Sequence, residues 1–156
     1  MKRMLLSAFC LLLIVACTSC ATETASVHVE GTLQELFGKI YAAAGVEAPM
    51  TMEAVLDDTN KASMLGTSDV IFTEGLATEA AIMTIPHSMV LLRVDEKTTD
   101  IEKTKQTIRD NIDPRKWICV GVDPDQVIVD SIGDLIFVVM SENAQAYHDS
   151  FLKLKP

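Results

Sequence analysis

The chain has 156 residues, 49% hydrophobic and 22% charged, which suits one globular domain with its own core and excludes a disordered polypeptide. Its net charge of −9, from 22 acidic against 13 basic residues, lacks the positive excess that nucleic acids and anionic membranes require, so no nucleic-acid partner is expected.

Lys2 and Arg3 open the chain, and Met4 to Ala16 follows with Ser7 as its one polar residue, the charged and apolar regions of an export signal. The apolar run falls short of the roughly 20 residues that span a bilayer. Ile14-Val15-Ala16-Cys17 then resembles the bacterial lipobox. The resemblance implies cleavage before Cys17, a diacylglyceryl group on its sulfur and a mature chain that begins there. The alternative is an ordinary signal cleaved near Ala21; Cys20 is the poorer lipobox cysteine, because Cys17 stands where an aliphatic residue is wanted. The chain thus divides into a signal peptide (1–16), a lipidated tether (17–26) and one domain (27–156).

Cys10 leaves with the signal and Cys20 lies in the tether, so Cys119 is alone in the domain and no internal disulfide can form. Processing leaves 11 basic against 22 acidic residues, a surface that anionic headgroups repel. Lipid on Cys17, rather than the protein surface, is then what holds the domain at the extracytoplasmic face of the cell membrane.

In the domain, Thr32 and Glu35 have the spacing of a capping box, and Leu33, Leu36, Phe37, Ile40, Tyr41 and Ala44 follow at helical spacing until Gly45. Residues 46–76 are broken by Pro49, the 57–60 polar cluster, Gly66 and Gly75, so loops and one short helix near Lys61 to Leu65 are expected. Two strand-like runs lie between Ala80 and Val94 around Pro86-His87. Thr99 and Glu102 frame a second capping box, opening a helix with Ile101, Ile108 and Ile112 on one side until Pro114.

A third apolar run is Trp117 to Val122. Val127 to Ile132 and Leu135 to Met140 then flank Gly133-Asp134, a hairpin signal. Leu135 to Met140 has no polar alternation, so it should be a central strand buried on both faces. Ser141 can cap a last helix that places Ala144, Tyr147, Phe151 and Leu152 on one face. The order α, β, β, α, β, β, β, α predicts an α+β domain, a mostly antiparallel sheet with helices packed on one face.

The succession of lipobox, tether, capped helix, Leu65-Gly66 turn, strand His87 to Val94, helix 99–112 and closing hairpin resembles small bacterial lipoproteins grouped only as a domain of unknown function. Asp113 to Val120 is its most distinctive stretch. The resemblance implies fold and location and carries no activity.

Chemistry is sparse. Cys119 and His87 are the one conceivable thiol and imidazole pair, but Trp-Ile-Cys-Val reads as a buried strand where cysteine is a small hydrophobe, and His87 reads as an exposed or hydrogen-bonded loop residue. Asp123-Pro-Asp125 starts like a calcium loop yet lacks its later ligands and glycine, and His28 with Glu30 cannot close a zinc site, so neither metal nor cofactor is expected. Arg115-Lys116-Trp117 is a candidate contact site, since exposed Arg and Trp dominate binding surfaces. The alternative is that Trp117 plugs the core while the two cations offset the preceding helix's dipole. The expected function is non-catalytic binding or accessory work for an unknown protein partner in the envelope. An envelope enzyme with an unrecognised site, or a carrier whose eight methionines shape an adaptable interior for a small apolar ligand, are the other readings.

Overall fold

The computed structural model describes residues 27–154; the lipobox, Cys10, Cys17, Cys20 and the tether lie outside them. In chain order the elements are α1 (Leu33–Ala44), β1 (Thr51–Val55), α2 (Lys61–Leu65), β2 (Glu74–Ala80), β3 (His87–Arg93), α3 (Ile101–Asn111), a 3-10 turn (Pro124–Gln126), β4 (Val127–Ile132), β5 (Leu135–Ser141) and α4 (Ala144–Phe151). The five strands form one antiparallel sheet in the order β1-β2-β3-β5-β4. The domain is α+β, as its hydrophobic periodicities predict.

Local signals explain most of these elements. The Glu35 N–H donates to Thr32 Oγ1 while the Thr32 N–H donates to Glu35 Oε2, closing the capping box of α1, which ends on Gly45 with φ 66°. In α3 the cap falls one residue later than Thr99: Asp100 accepts from the Lys103 N–H. The hairpin between β4 and β5 turns at Gly133, φ 52°, where any Cβ would collide with the Val27 carbonyl.

The central strand is β5, buried throughout. Leu135, Phe137 and Val139 face α1 and α4 with Leu76, Met89 and Leu91; Ile136 and Val138 face α3 with Val90, Leu92 and Ile108. Helices therefore cover both faces of the sheet, not one. A strand without polar alternation, such as β3 or β5, has two apolar faces, and a single helical layer leaves one of them wet.

Other expectations shift. Thr51–Val55 lies within the region read as loops, yet it pairs with all but the first two residues of β2. The first run of the Ala80 to Val94 region is a loop beyond Ala80; the strand is Glu74–Ala80, whose Glu, Gly and Ala residues carry weak β propensity and are held by partners on both sides. Trp117 to Val122 is no strand, since Cys119 sits at φ 64°, outside extended backbone. Ser141 ends β5 rather than capping α4, and Leu152 is half-exposed while Leu154 takes the buried place.

Residues 27–31 are latched to the hairpin end of the sheet. The Asp134 N–H donates to the Val27 carbonyl, and Asp134 Oδ1 accepts from the Val29 N–H. Arg93, buried, donates to Asp134 Oδ2 at 2.6 Å and to the carbonyls of Val29 and Gly31. His28 Nδ1 lies 2.7 Å from the same carboxylate. Burial works to raise the Asp134 pKa, but the Val29 and Arg93 donors outweigh it and hold the carboxyl below its ordinary range.

Candidate functional site

The segment after α3 distributes Arg115, Lys116 and Trp117 to three environments. Trp117 is 7% exposed and packs with Val122 and Met140, so it plugs the core. Lys116 does not turn toward the α3 carboxyl end. Its Nζ crosses to the sheet, 2.8 Å from Glu79 Oε1 and 3.1 Å from Ser88 Oγ, and stands 5.4 Å from the Trp117 ring centroid. Glu79 and Ser88 are cross-strand neighbours on β2 and β3, so the pair's register sets this ion pair. Arg115 remains exposed. The three residues do not form one exposed patch.

Lys116 and Trp117 instead join the wall of a groove of about 630 Å³, opening to solvent between α2, β1 and the loop after β2. Its apolar surface comes from Met52, Met64, Met83, Ile112 and Trp117; Glu79 and Lys116 supply a polar floor and Asp113 a carboxylate. The α2 side is held by Gly66: at φ 76°, a Cβ there would run into the Asn111 carbonyl at the end of α3. That close approach brings Met64 beside Ile112. Thioethers on unbranched stems re-pack around varied shapes, and the Lys116–Glu79 pair is already satisfied internally. The groove is thus suited to non-covalent contact.

A second polar constellation lies at the same end of the sheet and was not foreseen. His87 opens β3 and is 1% exposed, a buried strand residue and not a loop residue. Its Nε2 lies 2.9 Å from the Tyr41 hydroxyl and its Nδ1 3.1 Å from Ser141 Oγ; Tyr41 OH is also 2.7 Å from Thr78 Oγ1. The Tyr147 ring packs edge-on against both His87 and Tyr41, and its hydroxyl is buried without a partner. Burial pushes the His87 pKa down to about 4 and the Tyr41 pKa up to about 12.

A histidine–serine contact beside a hollow of about 280 Å³ has the outline of a nucleophile and base. The chemistry does not follow. An imidazole of pKa about 4 is too weak a base to take a hydroxyl proton near neutral pH, and Ser141 is 4% exposed. Cys119 is exposed on its irregular segment, not buried in a strand as its neighbours suggested. Both His87 nitrogens are engaged by Tyr41 and Ser141, so thiol and imidazole are not paired.

Asp123 and Gln126 bond each other around the 3-10 turn, and His28 serves the Asp134 latch. Among the described residues no group of three or more His, Cys, Asp or Glu side chains converges as metal ligands would, and no helix is long and apolar enough to cross a membrane. In the sequence the Arg115-Lys116-Trp117 cluster pointed to two of the groove's residues and the methionine count to its apolar lining; nothing local linked Glu79 to Lys116 or Tyr41 to His87. No protein-family model, curated protein or solved structure matches this chain.

Proposed function

We propose that this chain is a lipid-anchored, non-catalytic binding module of the bacterial cell envelope, tethered through Cys17 and contacting an envelope protein through the methionine-lined groove. The groove carries the reading: an open, mainly apolar channel of about 630 Å³ whose one cation, Lys116, is already paired with Glu79 offers shape and desolvation to a partner surface.

The latch supports it. Residues 27–31 enter beside Gly133 and Asp134, while Glu79, Ala80 and Met52 lie toward the opposite end of the strands. A seven-residue strand is roughly 20 Å long, so the groove stands well away from the point where a tether would join. The lipobox resemblance at Ile14-Val15-Ala16-Cys17 supplies the anchor, and the acidic surface leaves the bilayer to the lipid.

The test is photocrosslinking in intact cells with a photoreactive residue at Met83, on the groove, or at Leu152, an exposed apolar control outside it. A discrete envelope-protein adduct from position 83 and none from 152 is expected. Equal adducts from both, or none, overturn the reading. Cys17→Ala should move the protein out of the detergent phase; full retention there overturns the anchor.

A further inference from the structure

The sheet has two edges, and the fold treats them differently. Along β4, Arg109 of α3 donates to the Val129 carbonyl and Lys105 to Ser131 Oγ, so α3 covers that edge with cations. Along β1 the ladder to β2 is flanked by Ala81 N–H to Met50 carbonyl and Leu56 N–H to Gly75 carbonyl. Antiparallel pairs alternate, so Met52 and Ala54 also bond β2, and the backbone groups of Thr51, Glu53 and Val55 point outward. Asn60 Nδ2 takes the Val55 carbonyl. Among the described residues nothing else bonds those outward groups.

Natural edges are blunted by lysine, proline or bulges, and Thr51–Val55 carries none of these. Met52 and Val55 are 59% and 72% exposed. The charge beside the edge is acidic: Glu53 lies on the strand and Asp57 just past it, while Asp58 is paired with Lys61 at 2.6 Å and Glu47 lies against Pro86 and His87, away from the edge. Met52 meanwhile forms part of the groove, so edge and groove are one continuous surface.

We propose that the outer edge of β1 accepts an extended segment of the partner protein as a sixth strand, one that alternates lysine or arginine with apolar residues. This rests on the reading of the chain as a binding module and names what it binds. Backbone bonding to Thr51, Glu53 and the Val55 N–H supplies register, an apolar side chain passes beside Met52 into the groove, and cations meet Glu53 and Asp57. A second copy of this chain is a poor occupant, because antiparallel pairing about Glu53 sets two carboxylates opposite each other.

The probe is a fluorescein-labelled peptide, (Lys-Val)4, against (Glu-Val)4, titrated by anisotropy with the full chain in neutral detergent. The lysine peptide should bind about tenfold tighter, since the charge set opposite Glu53 and beside Asp57 changes sign between the two peptides. Val55→Pro removes only an outward N–H, so the β1–β2 ladder survives and peptide binding is lost. Glu53→Lys keeps the edge and should narrow or reverse the preference. Equal binding of both peptides, or undiminished binding by a folded Val55→Pro variant, overturns the proposal. So does a concentration-dependent dimer, or adsorption to phosphatidylcholine vesicles, that Val55→Pro abolishes. An adduct from position 83 with no peptide discrimination leaves the groove reading intact and removes the edge alone.

Discussion

Acid should destabilise this domain through His87 before it titrates most carboxylates. The imidazole has an ordinary pKa of 6.5, and burial among Tyr41, Tyr147 and the sheet lowers it to about 4 in the folded protein. The unfolded chain therefore takes up the proton first as pH falls. Stability tied to neutral His87 is complete above pH 6.5 and declines through the window from 6.5 to about 4. At about 1.4 kcal/mol per pH unit the full loss is a little over 3 kcal/mol, most of it gone by pH 4.5. Asp130 and Asp134 are held below the ordinary value of 3.8, so their contributions are lost only under more acid conditions. Urea melts at pH 7.5, 6, 5 and 4.5 on wild type and His87→Gln give the comparison. Gln can still bond Tyr41 or Ser141 but cannot be protonated, so the variant should start lower and lose little across the window. Parallel slopes for the two proteins would refute the buried, neutral imidazole.

Phe137→Ala should cost about 3–5 kcal/mol in urea melts, because the ring is fully buried on β5 and stacks on Phe151 at 4.7 Å between centroids. Thr84→Ala, at an exposed loop position, is the control; Thr67 is unsuitable because it is buried and accepts from the Asp69 N–H. Asp134→Asn should cost about 3 kcal/mol by leaving Arg93 without its carboxylate, and should open residues 27–31 to protease; unchanged digestion there argues against the latch. Native Cys119 should react with a disulfide reagent as fast as a free thiol peptide, and labelling only after denaturation would contradict its exposed placement.

What the sequence determined by itself are the features whose cause lies within a few residues. Thr32 and Glu35 cap α1, Gly133-Asp134 turns the hairpin, Lys61–Leu65 is a helix, and the unbroken apolarity of Leu135 to Met140 requires burial on both faces. These follow from backbone bonding and hydrophobic period, which need no distant partner. Tertiary structure decided the rest. β1 and β2 have weak propensity and exist because they pair, and Trp117 to Val122 has strand composition but no strand to join. The polar groups behave in the same way. Lys116 meets Glu79, Tyr41 meets His87 and Arg93 meets Asp134 across 37, 46 and 41 residues of chain. Such pairs cost conformational entropy until the sheet register brings them together, so a one-dimensional pattern shows the residues but not their partners.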